Sequence, residues 1–245
     1  MVLIVVPSFL ELLVREAGVG QRGEDGVDVL EVLRLHRDPQ VGVRNGHVLG
    51  GFFVVDVGDV TARVGDAVCD ALELTGFVDE VDWKVSKGGN SGCFYLAQEV
   101  TTEKDGKVNY EPIYISCPEY QLLDNANHPD AKLGKNNNRQ SASLYDMIPA
   151  VPQNQKPFGE WNEGKVMVYK GTVVHGQNGE NVVEYHLWTQ QWTDMLQASK
   201  FSQAKWPLAF ELLNNCGGEN HEGYIGFQDH GDDIWIRNVR IKIME

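Results

Sequence analysis

The chain has 245 residues and a formal net charge of -14 from 21 basic and 35 acidic side chains, which excludes a nucleic-acid partner, because phosphate binding needs a basic surface stripe. That length can bury a substantial core in one large domain or two small ones, and no apolar run reaches the ~20 residues of a membrane-spanning helix. The cysteines, Cys69, Cys93, Cys117 and Cys216, form no C-x-x-C pair and no metal-ligand spacing, so they read as buried thiols rather than a zinc site or a disulfide framework.

The opening stretch MVLIVVPSFLELLV is apolar, but it lacks a basic leader and is interrupted by Pro7 and Glu11, so it is not read as a signal peptide. Composition then breaks near residue 77. Residues 1–80 hold six Arg and no Lys, whereas the remainder holds three Arg and twelve Lys; all six Trp and all eight Tyr lie in the remainder. Either a separate N-terminal domain or translation from a wrong frame accounts for this. The second is favoured because 47 of those 80 residues are Val, Gly, Asp, Glu or Ala, whose codons all begin with G. Residues 1–76 are therefore set apart as an atypical segment, and functional residues are sought only from Phe77 onward.

From there to residue 245 the pattern is all-β: short alternating runs punctuated by Gly, Asn, Asp and Pro, without a long amphipathic helix. The predicted strands are FVDEVDWKVS, SGCFYLAQEV, IYISCPEYQLLD, GKVMVYKGTVVHG, NVVEYHLWT, GYIGFQDHG and DDIWIRNVRIKIM, a spacing that suits a sandwich. Asn178-Gly179 predicts a tight hairpin, since this dipeptide readily supplies two positive φ angles. The last strand turns Ile234, Ile236 and, across a bulge, Val239, Ile241 and Ile243 to one face. The stretch Asn125 to Ser141 is too rich in turn formers for a strand, and such loops tend to carry function.

Taken in order, DWKVSKGGNSG (82 to 92), EYQLLDNANHPDAK (119 to 132), NRQSASLYDMIPA (138 to 150), KPFGEWN (156 to 162), NGENVVEY (178 to 185), SKF (199 to 201) and GFQDHGDDIWIRNVRIK (226 to 242) resemble the 3-keto-disaccharide hydrolase family. The resemblance implies a concanavalin-like jelly-roll β-sandwich over residues 77–245, in a periplasmic or secreted setting. It further implies a hydrolase or lyase acting on glycosides already oxidised at carbon 3, supplied by a partner sugar 3-oxidoreductase. Family members carry several strands before the DWK block, so a sandwich built only from Phe77 onward would leave open edges.

A ketone at carbon 3 acidifies the proton on carbon 2, so a base can remove it and expel the group at carbon 1; water addition then completes hydrolysis. This needs a base, a donor or cation for the enolate oxygen and an acid for the leaving group. Glu119, Gln121 and Asp124 form E-x-Q-x-x-D, similar to the E-x-D-x-x-E of concanavalin-like glucanases with Gln121 in place of the central acid. Glu119, Asp124 and His230 are the acid/base candidates, and Arg139 is the candidate for steadying the keto oxygen. Asn90, Gln121, His128, Trp161, Gln228 and Asp229 are candidates for binding the sugar. No cofactor motif occurs, although a divalent ion on Glu119, Asp124 or His230 would suit enolate stabilisation. The competing readings are a retaining glycosidase using Glu119 and Asp124 on unoxidised glucan, and a sugar-binding module without catalysis.

Overall fold

The computed structural model describes residues 76–244 and, upstream of them, strands at residues 3–5, 33–35 and 51–56. The alternation predicted for the first run after the composition break is realised in β4 (Gly76–Val85), where Phe77, Asp79, Val81, Trp83 and Val85 are buried while Glu80 faces solvent. Side chains that alternate in this way can cover only one face of a sheet, so a second sheet must close over them.

Two antiparallel sheets do so. With β1 (Leu3–Val5), β2 (Leu33–Leu35) and β3 (Gly51–Asp56) upstream, the chain continues through β5 (Asn90–Ala97), the β6 (Thr101–Lys104) and β7 (Lys107–Tyr110) hairpin, and β8 (Glu119–Leu123). After the polar loop come β9 (Asn162–Tyr169), β10 (Thr172–Gln177), β11 (Glu180–His186), β12 (Tyr224–Asp229) and β13 (Ile234–Ile243). One sheet runs β1-β3-β12-β5-β8 and the other β11-β10-β9-β4-β13-β2. The all-β, jelly-roll expectation therefore holds. Strand β3 pairs along β12, and β2 along β13, covering edges that the chain from Phe77 onward would leave unpaired.

The inner faces meet in a core that includes Trp83, Cys93, Tyr95, Tyr120, Ile234, Ile236 and Phe227. Local expectations are met where turn chemistry decides them. Asn178 and Gly179 join β10 to β11 with φ of 49° and 85°, and β13 shifts register between Arg237 and Arg240, which keeps Val239 buried. Cys93, Cys117 and Cys216 are buried free thiols; the expectations for Cys69 and for the side chains of Ile241 and Ile243 lie outside the described residues. Two short helices interrupt the β pattern, α1 (Gln190–Ala198) and α2 (Pro207–Asn214). The Thr189 hydroxyl caps α1 by accepting from the Trp192 amide, and Trp192 stacks on Tyr185 of β11 at 5.5 Å. The link between these helices is what reaches the functional site.

The core also holds polar groups. Tyr95 joins His175 Nε2 at 2.7 Å and the Tyr185 hydroxyl at 2.6 Å, all three buried. Asp79 is 1% exposed, and burial pushes its carboxyl up to about 7. One of its oxygens accepts from the Cys93 thiol at 3.6 Å, and the other has no partner among the described residues.

Candidate active site

Strands β5 and β8 pair with Gly92 opposite Gln121 and Phe94 opposite Glu119, while Cys93 faces Tyr120. Because Cys93 and Tyr120 point into the core, Glu119 and Gln121 must point out of the sandwich, and Asn90 shares their face by parity. Strand β12 adds Gln228 beside them. These four side chains form the floor of a cleft of about 270 Å³. The missing side chain at Gly92 makes room for the acid: a Cβ there would sit 2.2 Å from Glu119 Oε1. Burial therefore dominates at Glu119 and pushes its carboxyl up to about 8, with the positive charge of Lys200 pulling the other way.

The walls come from elsewhere in the chain. Tyr114, Tyr145, Lys200, Trp206 and His230 rise around the floor. Tyr114 stands on a 3-10 turn (Ile113–Ile115), with its ring edge-on to Trp206 at 6.0 Å. Lys200 Nζ lies 4.3 Å from the Tyr145 ring centroid and 4.8 Å from that of Phe201. Loss of water lowers the Lys200 pKa below the ordinary lysine range, and the negative charge of Glu119 opposes that shift. On the cleft floor, Asn90 is 7% exposed and its Oδ1 has no partner among the described residues. A buried acceptor left in this state costs about 1–3 kcal/mol unless a ligand or water donates to it, so it marks where a hydroxyl would be received.

Behind one wall lies an ionic frame. Arg139 donates through Nη1 to Asp130 Oδ1 at 2.8 Å and through Nε to Asp146 Oδ1 at 2.7 Å. Asp130 Oδ2 in turn accepts from the Tyr145 hydroxyl at 2.9 Å, and Asp146 Oδ2 accepts from the Lys200 backbone amide at 2.8 Å. One guanidinium thus positions both the aromatic ring and the lysine backbone through two carboxylates, one on each side of its fork of donors.

This arrangement sorts the residues expected from sequence. Glu119, Gln121, Asn90, Gln228 and His230 converge on the cleft. Arg139 does not line it, and both of its engaged nitrogens are committed to carboxylates, so its place is that of a positioning residue rather than a contact to the keto oxygen. Asp124 is 2% exposed and caps the turn that carries the chain from β4 in one sheet to β5 in the other: its carboxylate accepts from the Gly88 and Ala126 amides and from Asn127. The β5–β8 pairing runs without a bulge, so Asp124 falls on the opposite face from Glu119 and Gln121. His128 caps the 3-10 turn Pro129–Lys132 through Nδ1, and Asp229 accepts from the Gly231 amide. Trp161 is engaged by two cations, Arg237 at 4.0 Å and Lys84 at 4.9 Å from its ring centroid, and does not line the cleft. No group of three or more His, Cys, Asp or Glu among the described residues is arranged to hold a metal, and Glu119, Asp124 and His230 do not assemble as one. Sequence reasoning missed Tyr114, Tyr145, Lys200 and Trp206. Tyr145 and Lys200 lie within the NRQSASLYDMIPA and SKF blocks, but no spacing ties either to Glu119.

A family model for the 3-keto-alpha-glucoside-1,2-lyase-like domain matches residues 31–242, so the match takes in residues 31–76 as well as the part beginning at Phe77. A 3-keto-disaccharide hydrolase of Bacteroides thetaiotaomicron is 78% identical over 176 residues, covering 71% of this chain and 61% of the relative. The chain therefore spans about three fifths of that relative's length. Among solved structures, a candidate glycosyl hydrolase of Parabacteroides distasonis superposes with a TM-score of 0.61 at 25% identity, over 91% of this chain and 82% of that one. A second from the same organism gives 0.53 at 23% identity, over 88% and 90%, a likeness of fold.

Proposed function

The chain belongs to the 3-keto-alpha-glucoside-1,2-lyase-like domain family, and from that membership we propose that it cleaves the glycosidic bond of 3-keto-glucosides or 3-keto-disaccharides, by elimination followed by hydration. The observation that carries this reading is Glu119. A carboxyl raised to about 8 is a far stronger base, once ionised, than an ordinary glutamate, and it meets the demand of removing a proton beside a ketone near neutral pH. His230 at the rim is placed to protonate the departing oxygen, and Asn90, Gln121 and Gln228 offer hydrogen bonds to sugar hydroxyls. The oxidation that creates the ketone belongs to a separate oxidoreductase.

A glycosidase acting on unoxidised sugar would need a second carboxylate across the scissile bond. Asp124, the sequence candidate, is occupied as a turn cap, which disfavours that alternative. The test is aglycone release from a 3-keto-glucoside beside its unoxidised parent. Turnover of the keto form alone, lost in Glu119→Gln, is the expected result. Equal turnover of the parent would favour the ordinary glycosidase, and saturable binding of the keto form without turnover would leave a sugar-binding module.

A further inference from the structure

Lys200 has a setting unlike that of a surface lysine. It lies in the link between α1 and α2 and reaches the same cleft as Glu119. Its Nζ is walled by the rings of Tyr145, Phe201 and Tyr114, at 4.3, 4.8 and 5.8 Å from their centroids. Its backbone amide is pinned to Asp146, which Arg139 holds from behind. No ion pair to Lys200 forms among the described residues, although Glu119, Asp130 and Asp146 are near enough to bias its charge. A lysine kept only as a fixed positive charge is ordinarily hydrated or paired; one half-buried among three rings, held by its backbone and lining the same cleft as a carboxyl is suited to act as an amine.

We propose that Lys200 attacks the ketone carbon of the substrate and carries it as an iminium, with Glu119 moving the protons; this rests on the keto-sugar reading above. The neutral amine adds to carbon 3, and the carbinolamine loses its hydroxyl as water with a proton from the Glu119 carboxylic acid. The nitrogen is then positively charged and Glu119 is a carboxylate. The carboxylate takes the proton from carbon 2, the electron pair flows into the iminium to give an enamine, and its return expels the oxygen at carbon 1, which takes a proton from His230 or water. The sugar is left as an iminium conjugated to a new double bond between carbons 1 and 2. Water hydrolyses the iminium, returning the ketone and the lysine amine. No oxidant or reductant is consumed. An iminium acidifies the carbon 2 proton more than the ketone does, which is the gain over a purely electrostatic role.

The test is trapping. Wild-type protein is incubated with a 3-keto-glucoside and cyanoborohydride, which reduces iminium ions, and the peptides are mapped by mass spectrometry. The expected result is a stable adduct on Lys200, with the mass of the keto-sugar less one oxygen, with or without its aglycone. The unoxidised parent leaves no adduct. Lys200→Arg keeps a positive charge but cannot carry the intermediate, so aglycone release should fall roughly a hundredfold or more, while a thermal melt confirms that it folds. Turnover by wild type with no adduct on Lys200, or Lys200→Arg retaining activity within about tenfold, overturns the iminium and leaves the keto-sugar reading standing. Absence of both turnover and adduct in wild type overturns the two together.

Discussion

Gly92→Ala separates the position of Glu119 from its chemistry. The added Cβ would lie 2.2 Å from Glu119 Oε1 and 2.8 Å from both Cδ and Cγ, whereas non-bonded carbon atoms rest at about 3.5–4.0 Å. The carboxyl must therefore retreat by roughly 1 Å into the cleft. The strand itself has no reason to object: Gly92 has no left-handed φ, and an alanine there lowers the entropy of the unfolded chain, a gain of about 0.4–1 kcal/mol where the conformation is compatible. A misplacement of about 1 Å at a reacting group costs on the order of a hundredfold in rate, equivalent to about 2.7 kcal/mol of transition-state stabilisation. The assay is kcat and KM for aglycone release from a 3-keto-glucoside, with a thermal melt of each protein. The expected outcome is a kcat lower by about two orders of magnitude with an unchanged or slightly higher Tm. A variant that keeps kcat within about threefold of wild type at the same Tm would refute the placement of Glu119 over Gly92 as a requirement for activity.

Two further substitutions probe the core and the frame. The Asp79 carboxyl titrates at about 7 in the folded chain against an ordinary 3.8, so between these values the folded chain binds the extra proton, and stability is full below about pH 4 and falls as pH rises to about 7. Asp79→Asn should remove that fall, so chemical denaturation at pH 4 and pH 8 should show the variant gaining on wild type by an amount on the order of 4 kcal/mol at the higher pH; equal pH dependence in the two proteins would contradict a buried carboxyl without a cation to hold its charge. Arg139→Ala should leave Asp130 and Asp146 facing each other without their cation, costing about 1–3 kcal/mol and lowering kcat with little change in KM. A change confined to KM would instead make Arg139 a direct contact to the sugar.

What sequence determines here is what local chemistry determines. Period-2 alternation places most of the strands from Phe77 onward, because a strand's two faces are fixed by neighbouring residues alone; the run from Ile113 starts instead as a 3-10 turn, and the β6–β7 hairpin lies outside the predicted strands. The Asn178–Gly179 hairpin and the bulge after Arg237 follow for the same reason, since positive φ and an extra residue are local demands. Glu119 was also legible, as an acid opening a strand inside a block that resembles a family. Its partners were not. Glu119 and Asp124 have similar standing in E-x-Q-x-x-D, and only the pairing of β8 with β5, ending in a turn whose amides need a cap, sends one to the cleft and the other to Gly88. Arg139 reads as a free cation until the folded loop closes Asp130 and Asp146 around it. Lys200 meets Glu119 only because the link between two helices folds back over the outer face of a sheet, and Tyr145 because the loop after β8 returns to donate its amide to the Glu119 carbonyl. Such convergence depends on contacts between segments far apart in the chain, and no periodicity or spacing records it; the tertiary structure alone brings the amine to the acid.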